Sequence, residues 1–298
     1  MMDQVVYLNG QFLPLSQATV PVLDRGFIFG DGVYDVIPVY QRQMFRAEEH
    51  IARLARSLSS IGIENPYSND EWFQIIERLI DEYEAEDQMV YLHVTRGVAN
   101  RAHAFPLSVK PTVFIMVNPL PTPSKEAREH GVACVTMQDG RWLHCDIKSI
   151  SLLGNVLAAQ NAAQNGAVET IQFRNGVLTE ASAANVWIIK NGALLGPRKD
   201  NRVLEGIRYG LFEELCERHR IPFQTRDILK DEVLNADEVF LSSAAKEVLP
   251  VTSIDGMPVA NGRPGPLSMT LYGLYQTEKQ LGRRTESVQQ PNIGITHT

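Results

Sequence analysis

A lysine and a glutamate lie in segments where they could do covalent chemistry together. Lys148 lies in the segment CDIKS, residues 145–149, ahead of an apolar run that predicts a helix. Glu180 lies in the segment LTEASAANVW, residues 178–187. A lysine amine can form a Schiff base with a carbonyl compound, and a carboxylate can keep a ring nitrogen protonated. A second interpretation stays open at this point, in which Glu180 caps a helix after Thr179.

Two further segments have the residue types that bind a phosphate. Arg53 lies on a predicted helix, one turn after His50, where a guanidinium could clamp an anion with two donors. A surface arginine would fit the same pattern. The segment VLEGIR, residues 203–208, resembles a loop that enters a helix, and the free amides of a helix N-terminus attract phosphate.

Arg101 and His103 could bind a carboxylate together. In an extended segment residues i and i+2 point to the same side, so the guanidinium and the imidazole could converge on one anion. Two solvated loop residues are the alternative. The same spacing places Tyr34 and Val36 on one face of a predicted strand, although Tyr34 could equally be a buried strand residue.

The hydrophobic pattern predicts the elements that must position these groups. Asn-Gly and Asp-Gly pairs, at residues 9–10, 175–176, 191–192 and 255–256, predict hairpin turns between β-rich runs. Apolar spacings of three and four predict helices at residues 48–61, 70–83, 152–165, 206–219, 229–235 and 266–281. Asp70 is the predicted N-cap of the second of these helices. Strands are predicted at residues 5–8, 11–13, 89–95, 112–117, 133–137, 170–173, 186–189 and 238–241.

Composition and charge exclude several other classes of protein. The chain has 298 residues, 44% of them hydrophobic, and a formal net charge of −7, which argues against a nucleic-acid surface. No apolar run is long enough for a membrane span, and the N-terminus has no secretory signal pattern. The three cysteines are Cys134, Cys145 and Cys216, and they lack metal-ligand spacing. We therefore expect free thiols, no metal site and a cytoplasmic protein.

Taken together, the motifs resemble the class IV aminotransferases, a family of fold-type IV pyridoxal phosphate enzymes. The resemblance runs from about residue 5 to about residue 280, and within the family it is greatest to D-amino acid aminotransferase. The lysine and glutamate segments contribute to it, in family order with four others. These are DRGFIFGDGVYDV (24–36), EHIARL (49–54), VTRG (94–97) and RAH (101–103) with FP (105–106).

The resemblance implies a role for each candidate residue. Lys148 would hold the cofactor and move protons, and Glu180 would face its pyridine nitrogen. The residues implied to bind the rest of the cofactor are Arg53, Leu204, Ile207, Arg208, Ser243 and Ala244. Those implied to bind substrate are Tyr34, Val36, Arg101 and His103. Two segments depart from the family pattern, since Gly-Ile-Thr-Arg becomes GIRY (206–209) and the segment around Ser243 carries fewer hydroxyls. The affinity for the cofactor is the property that these departures put in doubt.

The resemblance also implies an architecture and an activity. We expect an α/β (α+β) fold with an N-terminal domain at residues 1–118, a proline-rich linker at 119–124, a cofactor-binding domain at 125–281 and a flexible tail at 282–298. The cofactor would lie between the domains of each subunit of a homodimer. The implied reaction is transamination from D-amino acids to 2-oxoglutarate, with small molecules as the partners and neither nucleic acid nor membrane.

Three alternatives to this activity remain open. Two use the same fold: a branched-chain L-amino acid aminotransferase and a lyase like aminodeoxychorismate lyase. The third is a binding module without catalysis. The pair of Arg101 and His103 favours the D-amino acid enzyme over its two relatives.

Overall fold

The first half of the chain, in a computed structural model that describes residues 3–286, folds around one antiparallel sheet. Its six strands are β1 (Val5–Leu8), β2 (Gln11–Pro14), β3 (Gly32–Tyr40), β4 (Gln43–Met44), β5 (Gln88–Thr95) and β6 (Thr112–Pro119). They are ordered β2-β1-β6-β5-β3-β4 across the sheet. Its helices are α1 (Arg25–Phe29), α2 (Ala47–Ser60) and α3 (Asn69–Glu82). The predicted first hairpin is confirmed, with Asn9 and Gly10 both at positive φ in its turn.

Helices α2 and α3 bury their apolar faces against this sheet. Their buried side chains join those of β3, β5 and β6 in one hydrophobic core, as the spacing of three and four predicts: Ile51, Leu54, Leu58, Trp72, Ile76, Leu79 and Ile80. The predicted N-cap of α3 is wrong. Ser68, and not Asp70, caps the helix, because its side chain accepts from the amide of Glu71 while the Glu71 carboxylate accepts from the Ser68 amide.

The second half of the chain folds around a mixed sheet of nine strands. They are β7 (Val132–Gln138), β8 (Glu169–Arg174), β9 (Val177–Ala181), β10 (Asn185–Lys190), β11 (Ala193–Pro197), β12 (Phe223–Arg226), β13 (Glu238–Ser242), β14 (Leu249–Ile254) and β15 (Met257–Pro258). The order is β12-β11-β10-β13-β14-β7-β8-β9, and β15 pairs with β14. The helices are α4 (Lys125–His130), α5 (Leu153–Gln164), α6 (Ile207–His219), α7 (Lys230–Leu234) and α8 (Pro266–Glu286).

An aromatic cluster fixes α6 on this sheet, and with it the start of the helix. The ring of Trp187 on β10 lies 4.5 Å from that of Tyr209 and 5.2 Å from that of Phe212. Both helix residues are fully buried, in the first two turns of α6. Because packed aromatic side chains have little freedom, the N-terminus of α6 has a defined position relative to the strands.

The two sheets separate at the proline-rich segment. Strand β6 ends at Pro119, and α4 begins at Lys125 with Ser124 as its N-cap. The pattern did not predict α4, because a helix of six residues is too short to show a clear apolar period. The division into two domains agrees with this layout and stays a prediction.

The other predicted helices and strands all occur, within two residues of their predicted limits except at the end of α8. That helix continues to Glu286, so residues 282–286 are helical where we predicted a flexible tail. The remainder of the predicted tail lies outside the described residues. Within residues 3–286, no helix is both long and apolar enough to cross a membrane.

Candidate active site

A cavity of about 310 Å³ lies where β3 and α2 of the first half meet the strand ends of the second. Ten of the twelve candidate residues line it: Tyr34, Val36, Arg53, Lys148, Glu180, Leu204, Ile207, Arg208, Ser243 and Ala244. A neighbouring cavity of about 320 Å³ shares five of its lining residues: Tyr34, Lys148, Asn155, Glu180 and Leu204. The fold therefore brings together residues that are far apart in the sequence.

Lys148 is held at the cavity by its backbone. Its carbonyl accepts from the amide of Tyr34 at 2.9 Å, and the next residue, Ser149, forms an isolated β-bridge with Val33. The Lys148 amide donates to the hydroxyl of Ser57 on α2 at 3.3 Å. The Nζ atom lies 4.2 Å from the centre of the Tyr34 ring. Lys148 is thus docked on β3, and its amine faces the side chain of Tyr34.

Tyr34 and Val36 face the cavity from the same side of β3, as predicted. The alternating residues Val33, Asp35 and Ile37 are buried on the other side. Tyr34 is only half-buried, because one side of its ring borders the cavity.

Glu180 lies on β9, only 7% exposed, so its interpretation as a helix cap is wrong. Its Oε1 atom accepts from Arg141, and its Oε2 atom accepts from the amide of Leu204 at 3.2 Å and from Asn185 at 3.5 Å. Burial raises the pKa of Glu180, and the positive charges of Arg141 and Lys148 oppose that rise. Glu180 is therefore a carboxylate whose charge depends on its neighbours.

Arg141 is itself fixed by a second carboxylate. Its Nε and Nη2 atoms donate to the two oxygens of Asp139 at 3.0 Å, and the Nη2 atom of Arg174 forms an ion pair with the same carboxylate at 3.0 Å. Burial alone would raise the pKa of Asp139, but its hydrogen bonds and the charge of Arg141 lower it to about 2. Arg141 consequently reaches Glu180 from a rigid anchor.

Arg53 is only 6% exposed, so its interpretation as a surface arginine is wrong. It donates through Nε and Nη2 to both oxygens of Asp35 at 2.8 Å, and the third partner of Asp35 is the Nδ1 atom of His50 at 2.7 Å. Burial alone would raise the pKa of Asp35, but Arg53 and His50 lower it well below its usual range. Burial lowers the pKa of His50 to about 4, so a neutral imidazole donates its Nδ1 proton to Asp35.

The loop before α6 borders the cavity with backbone amides. Gly206 is the N-cap of this helix and makes no side-chain cap, so the first amides of α6 have no side-chain acceptor from it. A Cβ atom at Gly206 would collide with Oδ1 of Asn185. The side-chain nitrogen of Asn185 donates to the carbonyl of Leu204 at 2.9 Å. Leu204, Ile207 and the uncapped helix start are thus held facing the cavity.

The turn after β13 closes the same side of the cavity. The hydroxyl of Ser243 accepts from the amide of Lys246 at 3.0 Å, and Ala244 follows it in the lining. Lys246 also lines the cavity, and its Nζ atom lies 2.7 Å from a carboxylate oxygen of the buried Glu169.

Arg101 and His103 are exposed and are absent from the lining of the cavity. Both lie beside Phe29, because the guanidinium carbon of Arg101 and the ring centre of His103 are each 5.5 Å from the centre of its ring. Their convergence on one anion stays a prediction. The guanidinium of Arg25 holds their loop by donating to the carbonyls of Ala102 and His103. Within one chain the pair therefore lies outside the cavity that contains Lys148.

Sequence reasoning missed several residues of the site. Six further polar or charged residues line the cavity beside the predicted ones: His50, Asn155, Ser182, Asn185, Ser242 and Lys246. Arg141 and Asn185 act on Glu180 directly. One signal was available in the sequence for three of these residues, because each lies close to a candidate residue. His50 is three residues before Arg53, Arg141 is seven before Lys148, and Asn185 is five after Glu180.

The chain is similar to known proteins both in sequence and in fold. Two D-alanine aminotransferases are similar to the chain over most of its length. The one from Bacillus licheniformis is 41% identical over 271 residues, which cover 91% of this chain and 95% of that protein. The one from Staphylococcus aureus (strain MSSA476) is 40% identical over 267 residues, which cover 89% and 94%.

Solved structures share the fold at lower sequence identity. The branched-chain amino acid aminotransferase of Escherichia coli superposes with a TM-score of 0.87 at 24% identity, covering 93% of this chain and 96% of that one. The branched-chain amino acid aminotransferase of the archaeon Thermoproteus uzoniensis, with norvaline, gives 0.84 at 23% identity, covering 94% of each chain. The sequence profile described as "Amino-transferase class IV" matches residues 32–254. The chain belongs to the class IV aminotransferase family and is a transaminase of the two-sheet fold found in its structural relatives.

Proposed function

We propose that this transaminase uses pyridoxal phosphate to transfer the amino group of D-amino acids, such as D-alanine, to 2-oxoglutarate. The products would be a 2-oxo acid and D-glutamate. The observation that carries this proposal is the meeting of Lys148, Glu180 and a group of phosphate-binding donors in one cavity. The similarity to D-alanine aminotransferases supports the choice of donor.

The residues present fit pyridoxal phosphate. The amine of Lys148 has no carboxylate within ion-pair distance among the described side chains, so it is free to bond to an aldehyde. Glu180 lies across the cavity to face a ring nitrogen, and Leu204 would pack against the ring. The phosphate would lie at the start of α6, where Gly206 is the N-cap. The side chains of Arg53 and Ser243 and the backbone amides of Ile207, Arg208 and Ala244 would bind it.

When bound, pyridoxal phosphate supplies a carbonyl carbon for the amino group and an electron sink for the charge that develops at Cα. Lys148 would remove the proton from Cα as general base and then deliver it, as general acid, to the carbon that was the aldehyde carbon of the cofactor. Glu180 would hold a proton on the pyridine nitrogen through its Oε2 atom, which Leu204 and Asn185 orient. Tyr34 would orient the amine of Lys148 through the contact between amine and ring.

We further propose that Arg101 and His103 bind the α-carboxylate across the subunit interface of a homodimer. Both side chains are exposed and lie outside the lining of their own cavity, so a second copy could place them at the other site. Large apolar side chains are exposed near this loop and on α1 and α5, as an interface would require: Phe27, Phe105, Leu107 and Leu153. The homodimer and the cytoplasmic location both stay predictions.

Donor specificity tests the proposal. The purified protein, loaded with pyridoxal phosphate, is assayed with D-alanine, L-leucine and aminodeoxychorismate, with and without 2-oxoglutarate. Lys148→Ala serves as the inactive control. We expect D-glutamate from D-alanine, and only with the acceptor present. A preference for L-leucine would indicate a branched-chain enzyme, and turnover of aminodeoxychorismate without an acceptor would indicate a lyase.

A further inference from the structure

Arg208 is a buried cation without a counter-ion. It is only 2% exposed, yet none of the described carboxylates lies within ion-pair distance of it. Its Nη2 atom donates to the phenol of Tyr275 at 2.6 Å and more distantly to the carbonyl of Ala244 at 3.4 Å. Its Nε atom is buried and has no hydrogen-bond partner within residues 3–286. Buried charges are normally paired, because an uncompensated one costs several kcal/mol.

Apart from Lys148, the other arginine and lysine side chains that line this cavity are paired within the protein. Arg53 is paired with Asp35, and Lys246 is paired with Glu169. The phenol of Tyr275 lies 3.4 Å from that of Tyr40, which donates to Glu247, and Glu247 already binds Arg128 and Lys279. The positive charge of Arg208 is therefore available to an anion that enters the cavity.

The position of Arg208 in α6 indicates what that is. It is the second residue of a helix of 13 residues, directly after the uncapped Gly206 and Ile207, and it lines the cavity beside Ser243. The amides at this helix start attract an anion, and the helix dipole adds to that attraction. A guanidinium with a free Nε donor at the same point offers a second, charged contact to that anion.

We propose that the side chain of Arg208 binds the phosphate group of the cofactor, as a second arginine beside Arg53. It occupies the position where the family pattern has threonine, so a charged donor replaces a hydroxyl there. Tyr275 positions the guanidinium through its phenol oxygen and leaves the charge unneutralised. The inference rests on the proposed function only for the identity of the molecule that carries the phosphate.

The test compares ligands with and without the phosphate on the full-length apoprotein. Dissociation constants are measured for pyridoxal phosphate, for pyridoxal and for inorganic phosphate. The variants are Arg208→Met, which removes the charge, and Arg208→Lys, which keeps it without the planar fork. Arg128→Met is the matched control, since Arg128 is a largely buried arginine that binds Glu247 and lies outside the cavity lining.

Arg208→Met should weaken pyridoxal phosphate and inorganic phosphate by about ten- to a hundredfold, the value of a charge-assisted hydrogen bond, and leave pyridoxal unchanged. Arg208→Lys should lose less, and Arg128→Met should bind all three ligands like the parent protein. Equal losses for pyridoxal phosphate and pyridoxal would overturn the proposal, because a structural role has no preference for the phosphate. If Arg208→Met does not fold, Arg208→Lys decides, and unchanged phosphate binding in that variant overturns the proposal.

The two proposals can fail separately. If borohydride does not attach the cofactor to Lys148, the proposed function fails, while a loss of inorganic phosphate binding in Arg208→Met would still assign an anion site. If labelling succeeds and Arg208→Met binds phosphate normally, only the role of Arg208 fails.

Discussion

Replacing Arg141 with methionine tests whether the charge of Glu180 depends on a neighbour outside the catalytic groups. Arg141 is the only described cation that donates a hydrogen bond to Glu180. Burial already raises the pKa of Glu180. Without Arg141 that pKa should rise further, since the buried carboxylate keeps its desolvation and loses its main compensation.

The structure sets the size of the effect. In the variant Glu180 keeps two contacts on Oε2, from the amide of Leu204 at 3.2 Å and from Asn185 at 3.5 Å. It loses the single charge-assisted bond on Oε1, which contributes about 1.5–3 kcal/mol. If that energy stabilises the ionised form of Glu180 in the parent enzyme, its loss in the variant would move the proton from the pyridine nitrogen to the carboxylate. The rate of Cα proton removal should then fall by about ten- to a hundredfold.

Two measurements distinguish this effect from a loss of structure. Stopped-flow absorbance gives the single-turnover rate with D-alanine, and difference infrared spectroscopy against a Glu180→Gln background follows the carboxyl band in the apoprotein. Arg174→Met is the matched control, because Arg174 binds Asp139 in the same network without touching Glu180. Arg141 does not stabilise the ionised form of Glu180 if the carboxyl of Glu180 titrates alike in Arg141→Met and Arg174→Met, or if both variants turn over at the same rate.

The remaining predictions concern the lysine, the dimer and pH. Lys148→Ala should lose several orders of magnitude in turnover, and borohydride reduction followed by peptide mapping should label Lys148 in the parent enzyme. Mixing inactive Lys148→Ala with Arg101→Ala should restore activity, to roughly a quarter of the parent sites, only if Arg101 acts across the interface. Burial lowers the pKa of His50 from 6.5 to about 4, so His50 becomes protonated at a lower pH in the folded protein than in the unfolded chain. The contribution of neutral His50 to the free energy of unfolding of the apoprotein is then fully present above pH 6.5 and declines as the pH falls towards 4. Urea unfolding should show a shallower decline in His50→Gln.

The sequence predicted those features that depend on neighbours along the chain. The apolar period located α2 within one residue of its observed limits, and an Asn-Gly pair located the first hairpin. The spacing of Tyr34 and Val36 predicted a common face, because a strand has a strict period of two. Lys148 and Glu180 could be singled out because each lies in a motif that resembles a known family.

Features that depend on distant residues could not be predicted in this way. The bond between Arg141 and Glu180 joins residues 39 positions apart, and only the placement of β9 beside the loop before Lys148 brings them together. Asp35 passed unnoticed because, inside a strand, its carboxylate has no local signal of its partners on α2. The position of Arg101 and His103 outside the cavity could not be predicted either, since periodicity within a segment gives no position relative to another segment.

The charges of the cavity are separated, and this separation explains how one site can serve both ends of the cofactor. At one end, burial raises the pKa of Glu180 and the charge of Arg141 opposes that rise, which favours the ionised carboxylate that a protonated ring nitrogen needs. At the other end, Arg53 is largely neutralised by Asp35, so it offers geometry more than net charge. A phosphate carries up to two negative charges, and the helix start supplies only partial positive charge. A second guanidinium at Arg208 would supply the remaining compensation, which is why we expect its loss to reduce phosphate affinity more than a lost hydroxyl would.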